Sequence, residues 1–196
     1  MATPMIGRGG NFRLQKHAEG GVSLIEVVIS MAVLTVGMVS MLGVFGLAMA
    51  STQTSQQDTI AKQLANESYE SIITARNTTQ ISWVDLQNVS NGGIFVDGAQ
   101  PIYNAGVDGI FGTADDSAAG EQTLQDPGAD GIYQTADDIL IPLTGYKRTI
   151  LISPVKDTAG NTVTTLRSVT ITVQYATSQS NMSKTYTLNS FVSQYQ

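Results

Sequence analysis

Hydrophobic residues are concentrated in one uninterrupted run near the start of the chain, from Val27 to Ala50. These 24 residues contain no charged side chain. As a helix they would extend about 36 Å, at ~1.5 Å per residue, whereas the hydrocarbon core of a bilayer is roughly 30 Å thick. The run therefore predicts a helix that can span a membrane.

Two other kinds of apolar segment compete with this interpretation. A secretory signal peptide has a shorter apolar region, about 7–15 residues, followed by a small-residue cleavage site, and Ala48-Met49-Ala50 would supply such a site. An ordinary membrane anchor is the other alternative. Glu26 argues against both, because an acid at the start of a spanning segment is unfavourable unless it lies at the headgroup level or has a function.

Beyond the apolar run the spacing becomes that of an amphipathic helix. Between Thr59 and Ala75, apolar or small residues recur every three or four positions, at Ile60, Ala61, Leu64, Ala65, Ser68, Ile72 and Ile73. We expect the helix to continue through residues 53–77, to end at Asn77-Thr78-Thr79, and to pack this face against a globular head. From Val22 it would be about 80 Å long, at ~1.5 Å per residue.

The remaining residues, 78–196, have the pattern of strands and turns. Three segments alternate apolar and polar residues or are rich in β-branched residues: Tyr146–Val155, Ser168–Tyr175 and Lys184–Val192. Turn signals separate them at Asp157–Asn161 and Ser178–Asn181. The sequence predicts an α+β fold in which an antiparallel β-meander covers the amphipathic half of the helix, with Trp83 and Val84 capping the core.

Composition excludes several functions. The chain has 196 residues, no cysteine and a single histidine, His17, so it offers no disulfide, thiolate metal site or downstream imidazole chemistry. Arg8, Arg13 and Lys16 oppose only Glu19 in residues 1–21, whereas residues 22–196 carry 7 basic and 15 acidic side chains. Nucleic acid is therefore a poor partner. Because no nucleophile–base pair is discernible either, we do not expect an enzyme.

The residues before the apolar run carry a specific motif. Gly20-Gly21-Val22-Ser23-Leu24-Ile25-Glu26-Val27 follows a basic leader and resembles the processing site of type IV prepilins and type II secretion pseudopilins, most closely PilV-type minor pilins. The resemblance implies a leader of residues 1–21, cleavage after Gly21 by a prepilin peptidase, and methylation of the new N-terminal residue, Val22. Val22 stands where the family usually has Phe.

The resemblance also implies an architecture, a location and partners. We expect a pilin-like lollipop, with residues 22–52 in the membrane and later in the filament core. The precursor would cross the inner membrane once with its N-terminus in the cytoplasm, and then join other pilin subunits in an extracellular or periplasmic filament. In that core the Glu26 carboxylate would meet the free amino terminus of a neighbour. Major pilin, minor pilin, pseudopilin and a filament-tip adhesion module remain open.

An internal repeat stands out in the head. NAGVDGIFGTADD at 104–116 and DPGADGIYQTADD at 126–138 are identical at eight of thirteen positions, and residues 97–138 contain nine acids and no base. Clustered carboxylates repel one another, and Ca²⁺ resolves that repulsion with six to eight oxygen ligands. We predict calcium ligands at Asn104, Asp108, Asp115, Asp116, Asp126, Asp130, Asp137 and Asp138. Solvated surface turns, or another ligand, are the alternatives.

The calcium hypothesis has a consequence for folding. Many pilins tie a C-terminal loop with a disulfide, which this chain cannot form because it has no cysteine. We expect the metal-clipped loops at 104–138 to replace that staple, and so to order a segment with little core of its own.

Overall fold

The computed structural model describes residues 21–177 and 180–195. The predicted leader, apart from Gly21, lies outside the described residues. The chain divides into two compact units, with the boundary between Gly46 and Leu47. A single helix, α1 (Leu24–Asn77), forms most of the described part of the first unit and the beginning of the second.

In the first unit, α1 leaves its apolar side chains exposed. The hydroxyls of Ser30, Thr35 and Ser40 donate to the carbonyls of Glu26, Met31 and Val36, one turn earlier, at 2.7, 2.5 and 2.8 Å. Each hydroxyl is thus satisfied within the helix, as an apolar surrounding requires. By length and composition the helix can cross a membrane, which agrees with the sequence prediction.

In the second unit, α1 buries one face against the head. The buried positions are those that the spacing predicts, with Ala75 added: Ala61, Leu64, Ala65, Ser68, Ile72 and Ala75, while Ile60 and Ile73 pack at the margin of the core. The helix ends at Asn77, close to the predicted stop. Thr79 then takes a left-handed conformation with φ 59°, and the amide of Gln80 donates back to the carbonyl of Ala75 at 2.9 Å.

The head of the second unit contains two antiparallel sheets. In the described part of the chain the strands are β1 (Gln100–Pro101), β2 (Thr123–Asp126), β3 (Ile139–Pro142), β4 (Tyr146–Lys156), β5 (Thr162–Thr177) and β6 (Ser180–Ser193). The larger sheet has the order β1-β4-β5-β6, and β2 pairs with β3 in a separate hairpin. A 3₁₀ turn at Val89–Asn91 and a four-residue helix, α2 (Asp116–Ala119), complete the elements.

The three predicted strands are confirmed as β4, β5 and β6, and each is longer than the sequence indicated. The register places Ile150 opposite Ile171, and Ile171 opposite Leu188, so the alternation puts one apolar face of the sheet into the core. The turn at Asp157–Asn161 is present, closed by the Asp157 amide donating to the Asn161 carbonyl. Of the other predicted turn, residues 178–179 lie outside the described residues.

Trp83 and Val84 have different surroundings. Trp83 packs at the margin of the core, where its Nε1 donates to the carbonyl of Thr164 at 3.0 Å and the Arg167 guanidinium lies 4.5 Å from its ring centre. Val84 is exposed, so its predicted role in capping the core is wrong. Trp83 and Val84 are consecutive residues of one turn, and only the indole packs on the core.

Candidate functional site

Residues 21–23, directly before α1, are exposed. Gly21 and Val22 precede the helix, and Glu26 lies in its first turn, where its amide donates to the carbonyl of Ser23 at 3.0 Å. A carboxylate in the first turn complements the positive end of the helix dipole. Within the described residues no basic side chain forms an ion pair with Glu26.

The two acidic loops fold in the same way. In the first, the Ile110 amide donates to Asp108 Oδ1 at 2.8 Å, and the Thr113 hydroxyl donates to Asp115 Oδ1 at 2.6 Å. In the second, the Ile132 amide donates to Asp130 Oδ1 at 2.8 Å, and the Thr135 hydroxyl donates to Asp137 Oδ1 at 2.7 Å. The final aspartates, Asp116 and Asp138, each accept the amide of the residue four positions earlier, at 2.6 Å in both loops. The sequence repeat is therefore also a structural repeat.

Left-handed backbone positions recur in both loops. Gly109 and Gly131, which follow the central aspartates, have φ of 70° and 69°, as expected for the tight turn that the Asp-Gly pair favours. Gly112 has φ 90°, and Gln134 holds the equivalent place with φ 68°. A Cβ at Gly112 would approach Ile150 Cδ1 to 2.4 Å. The first loop therefore needs glycine there for space as well as for conformation.

The surroundings of the two loops differ. Ile110 and Phe111 of the first loop are buried in the head, whereas the equivalent Ile132 and Tyr133 are exposed. The first loop is also bonded to α1, because the Phe111 amide donates to the Ser71 hydroxyl at 3.3 Å. The expectation that residues 104–138 have little core of their own is thus wrong for the first loop, because its apolar pair inserts beneath the sheet.

Carboxylate oxygens of Asp108, Asp115 and Asp116 lie within 4.8 Å of one another. The Thr113 hydroxyl lowers the pKa of Asp115 below its usual range, whereas burial raises the pKa of Asp116 in spite of its amide donors. The two groups therefore respond to pH in opposite directions. Stabilisation from Asp115 is lost as pH falls through its lowered pKa, and that from protonated Asp116 is lost as pH rises through its raised pKa.

The second loop occupies the tip of the β2–β3 hairpin, in solvent. The Thr135 hydroxyl lowers the pKa of Asp137, as Thr113 does for Asp115. Asp126 accepts the Gly128 amide at 3.1 Å. Its counterpart in the first loop, Asn104, instead directs its amide nitrogen to the carbonyls of residues 119–121. The first positions of the two repeats thus have different hydrogen-bond partners.

Arg148 is a buried cation near the first loop that the sequence reading did not single out. It is 4% exposed, and its guanidinium lies 4.7 Å from the Phe111 ring centre. Burial lowers its pKa, while the charges of Asp116 and Glu67 oppose that shift. The alternation in β4 could have indicated that Arg148 is buried, because Arg148 shares the face of Tyr146, Ile150 and Ile152.

Comparison with known proteins bears on the N-terminal segment. A family model described as the prokaryotic N-terminal methylation motif matches residues 16–42. No curated protein and no solved structure matches the chain significantly. The match spans the predicted processing site and the first part of the apolar run, and the motif is that of a structural protein.

The motif and the structure agree with each other. A motif of this kind followed by an apolar helix fits an inner-membrane precursor that is processed by a prepilin peptidase and assembled with other pilin subunits into an extracellular filament. The resemblance to type IV prepilins and pseudopilins is confirmed at this level, without a preference for the PilV type. The chain carries the prepilin-type N-terminal methylation motif on a long apolar helix, followed by an antiparallel β head.

Proposed function

We propose that the chain is a structural subunit of a type IV pilus or pilus-like filament, cut after Gly21 and assembled through its N-terminal helix. The observation that carries the proposal is the methylation motif at residues 16–42, which overlaps the exposed apolar start of α1. Such a helix has to leave water, either in a membrane or among other helices. Cleavage would release the basic leader and leave Val22 with a free amino group.

Glu26 favours assembly into a filament over a role as a simple membrane anchor. A carboxylate in an apolar bundle is costly unless a cation pairs with it. The amino group of Val22 in a neighbouring subunit would supply that cation. Because the pair forms only when neighbouring helices are correctly stepped, it would set the register of subunits rather than add much stability.

N-terminal mass analysis of sheared surface filaments tests this function. We expect the chain to be present, to begin at Val22, and to carry one added methyl group on that residue. The matched control is a Gly21→Leu variant, which should remain a full-length precursor in the inner membrane because the peptidase cuts after Gly. Finding only intact, membrane-retained chains in the unaltered strain would refute the assignment.

We further propose that the acidic loops bind Ca²⁺ and thereby stabilise the head. In the first loop three carboxylates approach within 4.8 Å, and an all-oxygen donor set suits a hard divalent cation. Each carboxylate oxygen that already accepts one hydrogen bond retains a further lone pair for a metal. The second loop offers Asp130, Asp137 and Asp138 in the same hydrogen-bonded frame. Weak calcium sites, with a Kd of about 10⁻⁴–10⁻³ M, suffice in an extracellular setting.

Calcium titration of the full chain in detergent micelles tests this proposal. At ten times the Kd we expect about 1.4 kcal/mol of added stability, seen as a rise in the melting temperature of the head. Asp108→Ala should remove the contribution of the first loop, and Asp130→Ala that of the second. Magnesium is the matched control ion, because it dehydrates reluctantly. An unchanged melting temperature at millimolar calcium would exclude the metal.

A further inference from the structure

The β2–β3 hairpin exposes large apolar side chains. Ile139 and Leu140 on β3 are 59% and 62% exposed, and Ile132 and Tyr133 in the loop at its tip are 61% and 60% exposed. Neither strand of the hairpin pairs with a strand of the larger sheet, and a two-stranded hairpin alone is only marginally stable in water. Exposed apolar patches on a protein surface often mark an interaction site.

A groove of about 620 Å³ runs between this hairpin and α1. Its helical wall contains Thr52, Ser55 and Ile60, and its hairpin wall contains Leu124, Tyr133 and Ile141. The helical wall begins two residues after the apolar run ends at Ala50. Met49, about one turn before Thr52 on the same side of the helix, is exposed too, so the apolar surface continues along α1 toward the groove.

We propose that this groove and the exposed face of the hairpin, together the hairpin groove, dock a second copy of this chain. The proposal rests on the filament function, in which the apolar part of α1 is covered by neighbouring subunits. A neighbour that covers α1 near Met49 lies next to the wall that begins at Thr52. The hairpin groove is then the place where the head of one subunit meets that neighbour.

Charge favours a second copy as the occupant. The loop at the hairpin tip carries Asp126, Asp130, Asp137 and Asp138 and no base. The same head exposes Lys62, Lys147 and Lys156, none of which forms an ion pair with an acid in the described part of the chain. The surface of one head therefore carries both the negative charge of this loop and the positive charges that could pair with it in a second copy. A membrane surface is a poorer occupant, because anionic headgroups repel the four carboxylates of the calcium-free loop.

Photo-crosslinking of assembled filaments tests the docking surface. A benzophenone amino acid in place of Tyr133 preserves an aromatic ring in the groove, and the same replacement of Tyr195, which is 73% exposed, is the matched control. We expect an adduct of twice the subunit mass from position 133 and none from position 195. An adduct with lipid or with a different protein, or no adduct in filaments that form normally, would overturn the proposal.

A charge substitution provides the second measurement. Ile141→Asp, in the hairpin wall of the groove, should abolish the dimer adduct of the chain that carries the position-133 probe, whereas Val84→Asp, at an exposed apolar residue elsewhere, should leave it intact. Emission from Trp83 checks that the head remains folded in both variants. Persistence of the adduct in Ile141→Asp contradicts the proposal. Absence of filaments from the unaltered chain refutes the filament function itself, so the two failures are distinguishable.

Discussion

Glu26→Gln is expected to abolish filament assembly while leaving the precursor inserted in the membrane and cleaved after Gly21. Glutamine keeps the size of the side chain and removes its charge, so a neighbour's amino group would be buried without a counter-charge. Removing one partner of a buried pair costs about 3–5 kcal/mol, which lowers the association constant more than about a hundredfold. Sheared filaments, quantified against membrane-retained subunit, measure the effect.

The same helix supplies the control for this experiment. Glu70 lies on α1 in the second unit and is exposed, so Glu70→Gln removes one negative charge from the helix without touching its start. We expect this variant to assemble normally. The first turn of α1 also allows a different role for Glu26, since a carboxylate there stabilises the helix by about 0.3–1 kcal/mol. Normal assembly of Glu26→Gln would mean that Glu26 has only this local role.

Much of the fold could be predicted from periodicity. The apolar run, the spacing of Ala61, Leu64 and Ser68, and the alternation in β4 and β5 each follow from which side chains must leave water. The hairpin of β2 and β3 could not be predicted in this way. Every residue of β3 is exposed, so no alternation marks the strand, and only its pairing with β2 defines it.

Long-range polar contacts also could not be predicted from the sequence. Asn88 is buried, with its side-chain amide donating to the carbonyl of Ile150 at 2.8 Å and its Oδ1 accepting the amide of Ile152 at 2.7 Å. A buried polar group needs such partners, but nothing in the residues around Asn88 specifies a strand more than sixty positions later. The repeat shows the opposite case, because its Asp and Thr spacing encodes local hydrogen bonds that form in both copies.

The two copies of the repeat have the same local hydrogen bonds but pack differently against the rest of the head. Asp116 and Asp138 hold equivalent positions and make the same bond to the backbone four residues earlier. Asp116 additionally accepts the Gly106 amide at 3.0 Å, is buried, and supports the charge of Arg148. Asp138 lies in the exposed loop, where water can replace its contacts. The same residue in the same local frame should therefore contribute very differently to the stability of the head.

Asp116→Ala is accordingly expected to lower the free energy of unfolding of the head by about 2–4 kcal/mol, since it leaves two backbone amides without an acceptor and removes one of the two acids, Asp116 and Glu67, whose charges act on buried Arg148. Asp138→Ala should cost less than about 1 kcal/mol, because water takes over its hydrogen bonds. Urea unfolding of the full chain in detergent, followed by the fluorescence of Trp83, measures both in calcium-free buffer. The loss of stability for Asp116→Asn, which keeps one acceptor oxygen, should lie between the losses for Asp116→Ala and Asp138→Ala. Equal losses for Asp116→Ala and Asp138→Ala would mean that burial of the first loop adds nothing to its stability.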